Sequence, residues 1–232
     1  MRTLLLALLC LAGCDALADP PKTSLSAQVR EVRERMHARF SATRRLERAI
    51  VFGNLEAVHS EAGVVAKLDE PDLLAAWQPY LEQIRASARQ IEQASDLITA
   101  AKTSGLLGRR CAQCHEATGA KIAPIADPRP PAGAKLPSHM AGHQWATTQL
   151  WDGLIGPSSE RWLEGARTLA RAPLTIVAEG DLPPDLAVGN DVARIRLLAT
   201  RAQAAKTQDD RAALYGDLLA TCARCHAKIR DP

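Results

Sequence analysis

The chain has 232 residues, 47 % of them apolar and 24 % charged, and a formal charge of only +3 from 29 basic and 26 acidic side chains. This composition excludes an intrinsically disordered chain, and the lack of any long single-sign run argues against a polyanion partner such as nucleic acid. Aromatic residues are only 3 % of the sequence, which is thin for helical cores that normally draw much of their buried area from aromatic rings.

Residues 1–18 read as a targeting segment. Arg2 precedes an apolar stretch from Leu4 to Ala12 that is too short to span a bilayer, so it is expected to direct export rather than anchor the chain. Two processing readings compete. Leu11-Ala12-Gly13-Cys14 has the order of a bacterial lipobox and would place a lipid on Cys14, whereas Ala16-Leu17-Ala18 is a small-x-small site before Asp19. The lipobox is the favoured reading. It limits membrane contact to a lipid anchor, with Asp15 hinting at inner-membrane retention; the alternative leaves a soluble periplasmic protein.

The rest of the chain predicts an all-α protein. Val29, Val32, Met36, Phe40, Thr43, Leu46 and Ile50 recur at three- and four-residue steps, the period of an amphipathic helix, and Gly53-Asn54 stops it and caps the next. A second helix runs to about Leu68. Asp69-Glu-Pro-Asp72 opens a third with a stripe of Trp77, Tyr80, Leu81, Ile84, Ala88, Ile91 and Ile98, and a fourth carries Cys111. Prolines 124, 128, 130, 131 and 137 mark a semi-rigid linker over residues 120–137. The linker separates a first domain, 22–119, from a second, 138–232. Near the end Thr207-Gln-Asp-Asp210 is a capping box, and Leu214, Leu218, Cys222, Cys225 and Ile229 share one stripe.

Of six cysteines, Cys10 and Cys14 lie in the leader and the other four form two Cys-x-x-Cys-His patterns, Cys111-Cys114-His115 and Cys222-Cys225-His226. On a helix, residues three apart share a face, so both thiols can form thioethers to the two vinyl groups of one haem while the adjacent histidine reaches its iron. Two covalent haem c groups are expected, and their macrocycles would supply the missing aromatic bulk. A zinc site is the weaker alternative, because 107 residues separate Cys114 from Cys222.

The two motifs belong to a repeat. An offset of 111 pairs Ile84 with Ile195, Arg85 with Arg196, Ala88 with Ala199, Ala101 with Ala212, Gly105 with Gly216 and Leu107 with Leu218. Upstream the offset is 104, pairing Met36 with Met140, Ala42 with Ala146, Thr43 with Thr147, Leu46 with Leu150, Glu56 with Glu160 and Ala62 with Ala166. The seven extra residues of the second copy fit the Pro173 to Pro184 stretch.

Only six residues follow His226, so each fold is expected to lie upstream of its motif, with haem on the last helix of a four-helix bundle. Tyr215-Gly-Asp-Leu-Leu-Ala-Thr-Cys222-Ala-Arg-Cys225-His226-Ala-Lys-Ile-Arg230 resembles the C-terminal helix, motif and basic tail of the cytochrome c prime and cytochrome c-556 family, and Leu106-Leu-Gly-Arg-Arg-Cys111 is a looser match. The resemblance implies two tandem four-helix-bundle-like haem domains. It also implies His115 and His226 as proximal iron ligands and a distal side formed by the first helix of each copy. Met36 and Met140, equivalent in the repeat, are the candidate distal ligands, against ordinary core methionine. His37 beside Met36, and His139 and His143 around Met140, are alternatives; His143 aligns with Arg39, so one histidine position does not serve both copies. His59 reads as a core or solvated histidine, Trp145, Trp151 and Trp162 as packing, and the Arg44-Arg45 and Arg109-Arg110 pairs as propionate partners, a docking patch or an exposed face.

The leading functional expectation is electron transfer between periplasmic or membrane redox proteins, with no catalytic residues. Gas binding at a five-coordinate haem, as in cytochrome c prime, is the second reading. A dihaem peroxidase-type enzyme is the third.

Overall fold

In a computed structural model of the chain, the described residues are 25–67, 75–120, 122, 128–130, 136–171 and 188–230. Their regular structure is entirely helical: α1 (Leu25–Val51), α2 (Leu55–Lys67), a single 3-10 turn (Ala75–Trp77), α3 (Gln78–Glu92), α4 (Leu97–Thr118), α5 (Leu136–Ile155), α6 (Ser159–Arg171), α7 (Gly189–Ala204) and α8 (Gln208–Arg230). No helix among the described residues is long and apolar enough to cross a membrane. The leader with Cys10 and Cys14, the Asp69–Asp72 helix start and the Pro173–Pro184 insertion lie outside the described residues.

Local chemistry accounts for the helix ends. Gly53, at φ 72°, takes the left-handed conformation that stops α1, and the Asn54 side chain accepts from the Ala57 amide at 2.9 Å to open α2. Asp96 caps α4 through the Thr99 amide at 2.8 Å. The left-handed Gly119 closes α4 at its other end, its N–H returning to the His115 carbonyl. The Thr207 hydroxyl accepts from the Asp210 amide at 3.0 Å, as the capping pattern predicts.

Several expected boundaries are corrected. The third apolar stripe does not run through Ile98: α3 ends at Glu92, Asp96 nucleates a new helix, and Ile98 is 40 % exposed in its first turn. Trp77 belongs to the 3-10 turn before α3. Helix α5 starts at Leu136, inside the expected linker, because Pro137 sits in the first turn where an amide is dispensable. Val29 and Ile229 fall on solvated helix ends rather than in the core.

Consecutive helices pack on one another within α1–α4 and again within α5–α8, but the most extensive packing of all joins α4 to α8. Helix α1 touches α8 as well as α4, and α5 touches α4 as well as α8. Both halves therefore share one continuous core, running from Leu46, Ile50 and Ile91 through Leu107 and Leu154 to Leu198 and Leu218. The α4–α8 crossing is made by glycine. A Cβ added to Gly105 would lie 2.2 Å from the Ala212 carbonyl oxygen, and one on Gly216 would lie 2.8 Å from Lys102 Cα. The repeat-related pairs Gly105/Gly216 and Ala101/Ala212 are thus the contact itself, with the two backbones almost touching.

Candidate functional site

The crossing sets the two motif-bearing helices side by side. On α4, Cys111 and Cys114 share a buried face at 8 % and 9 % exposure, as their three-residue spacing requires; on α8, Cys222 and Cys225 are half-buried. Burial pushes the Cys111 and Cys222 thiols up to about 12. Such thiols are poor redox dithiols, which need a depressed value.

Each motif histidine is oriented by the other half of the chain. His115 Nδ1 lies 2.7 Å from the carbonyl of Ile155, the last residue of α5. A carbonyl can only accept, so Nδ1 carries the proton and Nε2 is left as a lone-pair donor, the arrangement that orients metal-ligating imidazoles. The carbonyl of Val51, the last residue of α1, faces His226 as a hydrogen-bond acceptor. Val51 and Ile155 are equivalent under the 104 offset. Both carbonyls belong to helix ends that lack an intrahelical partner. Burial holds both histidines below the usual imidazole range, outweighing these hydrogen bonds, and the Arg39 cation further depresses His115.

Around the second motif the helices leave a partly open cleft of about 150 Å³. Helix α8 contributes Cys222, Cys225, His226 and Ile229; α5 contributes Met140, His143, Gln144, Thr147 and Thr148; α7 adds Val192 and Ile195. The remaining wall comes from the first half of the chain, through Arg44, Glu47, Arg48, Val51 and Phe52. The Phe52 ring lies 5.6 Å from that of His226.

The distal candidates divide. Met140 and His143 line this cleft, and His143 Nε2 is buried without a hydrogen-bond partner. Burial, then the neighbouring His139 and His226, lower His143 to about 4, so it is neutral near pH 7. His139 is half-buried with its own orphaned Nε2, but it does not line the cleft. Near the first motif, Met36 is half-buried, its sulfur contacted by Arg39 Nη1 at 3.7 Å, while His37 is exposed. Arg39 itself is 5 % exposed, close enough to Cys111 to act on its thiol. Among the described residues no cluster of three His, Cys, Asp or Glu side chains is arranged as a metal cage.

The other singled-out residues have structural partners. Trp162 is fully buried and donates from Nε1 to the Ala202 carbonyl at 2.7 Å, and Trp145 packs beneath Arg129. His59 Nε2 meets the Ala94 carbonyl at 2.9 Å. Arg45 pairs with Glu61 at 2.8 Å, and Arg109 with Asp209 at 2.8 Å. Arg110 meets Gln113 at 2.9 Å. Arg44 alone of these four reaches the cleft, where it also approaches Asp152.

Sequence reasoning missed Val51, Ile155, Phe52 and Glu47, all of which act across the halves. The 104 offset relates Val51 to Ile155, and it is their common signal.

The residues around the second motif fit a covalent haem: two thiols three apart, an imidazole facing the Val51 carbonyl, a buried unpartnered imidazole nitrogen, arginines and apolar walls. Compared with known protein families, curated proteins and solved structures, the chain matches none.

Proposed function

We propose that the chain is an exported c-type cytochrome that carries two covalent haems and passes single electrons between periplasmic or membrane redox proteins. The observation that carries this reading is the paired orientation of His115 and His226 by the helix-end carbonyls of Ile155 and Val51. A core histidine needs any partner; two motif histidines held through equivalent carbonyls are what an axial ligand demands. Cys111 and Cys114 would hold one haem and Cys222 and Cys225 the other, in two tandem four-helix units that interlock through α4 and α8. Bound there, haem supplies a one-electron couple.

The chain's own residues do the rest. Burial keeps each imidazole neutral, while the carbonyl partners orient it and raise its basicity as a ligand. Val192 and Ile195 of α7, with Val51 and Phe52, limit water, and Arg44 and Arg48 place positive charge where acidic haem substituents could settle. Met36 and Met140 remain the repeat-equivalent distal candidates, with His37 and His143 as alternatives. Export rests on the Leu-rich leader, and a membrane tether on lipidation of Cys14.

Expression with the c-haem maturation machinery, followed by haem quantification and mass spectrometry, tests the reading. Two haems per chain are expected, falling to one in C111A/C114A and to one in C222A/C225A. A mature chain without covalent haem overturns it.

A further inference from the structure

The two sites are not copies of each other where the repeat predicts that they should be. Met140 and Met36 are equivalent, but three residues further along α5 stands His143, while α1 has Arg39. His143 lines the cleft that also contains His226. A methionine is at ease in an apolar wall, whereas an imidazole nitrogen buried without a partner is costly unless something unseen bonds to it. His139, the other orphaned imidazole, does not line the cleft. On α1 the corresponding group is a guanidinium that cannot give up its proton or bind a metal, and it is turned onto the Met36 sulfur.

We propose that His143, and not Met140, is the second axial ligand opposite His226, so that the second haem is bis-histidine while the first, with Arg39 at the matching position, is not. This rests on the two-haem reading above and deepens it. Bis-histidine ligation lowers a haem's potential relative to histidine–methionine ligation. A buried guanidinium beside the first motif disfavours the more positive ferric state and raises that haem's potential. The pair then forms a gradient, with electrons falling from the second haem to the first.

The test uses the haem-loaded full chain as wild type, H143A, M140L and H143M, read by electron paramagnetic resonance, the visible spectrum with and without carbon monoxide, and potentiometric titration. In H143A one of two haems should lose its low-spin signal and bind carbon monoxide, and added imidazole should restore it; a merely structural role would give no such rescue. M140L should leave that haem low-spin. If H143A does not retain wild-type helical content by circular dichroism, H143M decides, and only one midpoint potential should rise. The proposal is overturned if H143A, or H143M in that case, leaves both haems unchanged, or if M140L produces the open site. Haem counting keeps the two ideas apart, since a wild-type chain without two covalent haems sinks the cytochrome reading rather than the ligand assignment.

Discussion

Replacing Gly105 by alanine tests whether the α4–α8 crossing holds the molecule together. The new methyl group would stand 2.2 Å from the Ala212 carbonyl oxygen and 3.1 Å from its carbon. Both are backbone atoms that cannot rotate away, so the helices must separate by roughly 1 Å to reach ordinary contact. Overpacking of this kind costs about 1–3 kcal/mol, more where backbone must move, and alanine's helix propensity returns up to about 1 kcal/mol. The net expectation is a loss of about 2 kcal/mol, or roughly 4–8 °C in Tm for a chain of this size. Gly142 provides the control, since a Cβ there meets nothing within 4 Å, so G142A should gain up to about 1 kcal/mol. Thermal unfolding of the protein followed by circular dichroism measures both. A G105A melting as high as G142A would show that the crossing is loose and refute the argument.

Two further predictions concern pH. Glu47 is buried beside the Tyr215 ring, and burial raises its carboxyl above the usual 4.5 despite the Arg44 cation. Its folded form therefore favours the proton, and the stability it contributes is full below pH 4.5 and fades as pH rises through the raised value. E47Q should accordingly stabilise the protein at neutral pH and flatten that slope in denaturant titrations run across pH; an E47Q less stable than wild type at pH 7 would contradict the assignment. Asp96 behaves oppositely: its bonds from the Thr99 amide and hydroxyl hold it below the usual 3.8, so its contribution is present above that value and lost as pH falls. D96N should keep the cap and lose the acid dependence, D96A should lower Tm at neutral pH, and equal melting of all three would remove the cap from the account.

The sequence by itself determined the helical class, most helix starts and stops, and the two Cys-x-x-Cys-His motifs, because these rest on short-range chemistry. Three-residue spacing puts Cys111 and Cys114 on one face; Gly53, Asn54, Asp96 and Thr207 act within a few residues of themselves. The repeat was equally legible, including the pairing of Gly105 with Gly216. What those glycines were for was not legible, since self-similarity says that two positions are equivalent and not that they touch. Only the tertiary structure decided that α4 and α8 meet there, and that His115 finds Ile155 and His226 finds Val51. These partners lie far away along the chain, and a backbone carbonyl carries no residue-type signature by which a sequence could announce it. The same distance hid the cleft: Phe52 and Arg44 belong to the first copy but line the second motif's wall. Local patterns specify elements, whereas which elements enclose a site depends on how the two halves of the chain meet through one shared core.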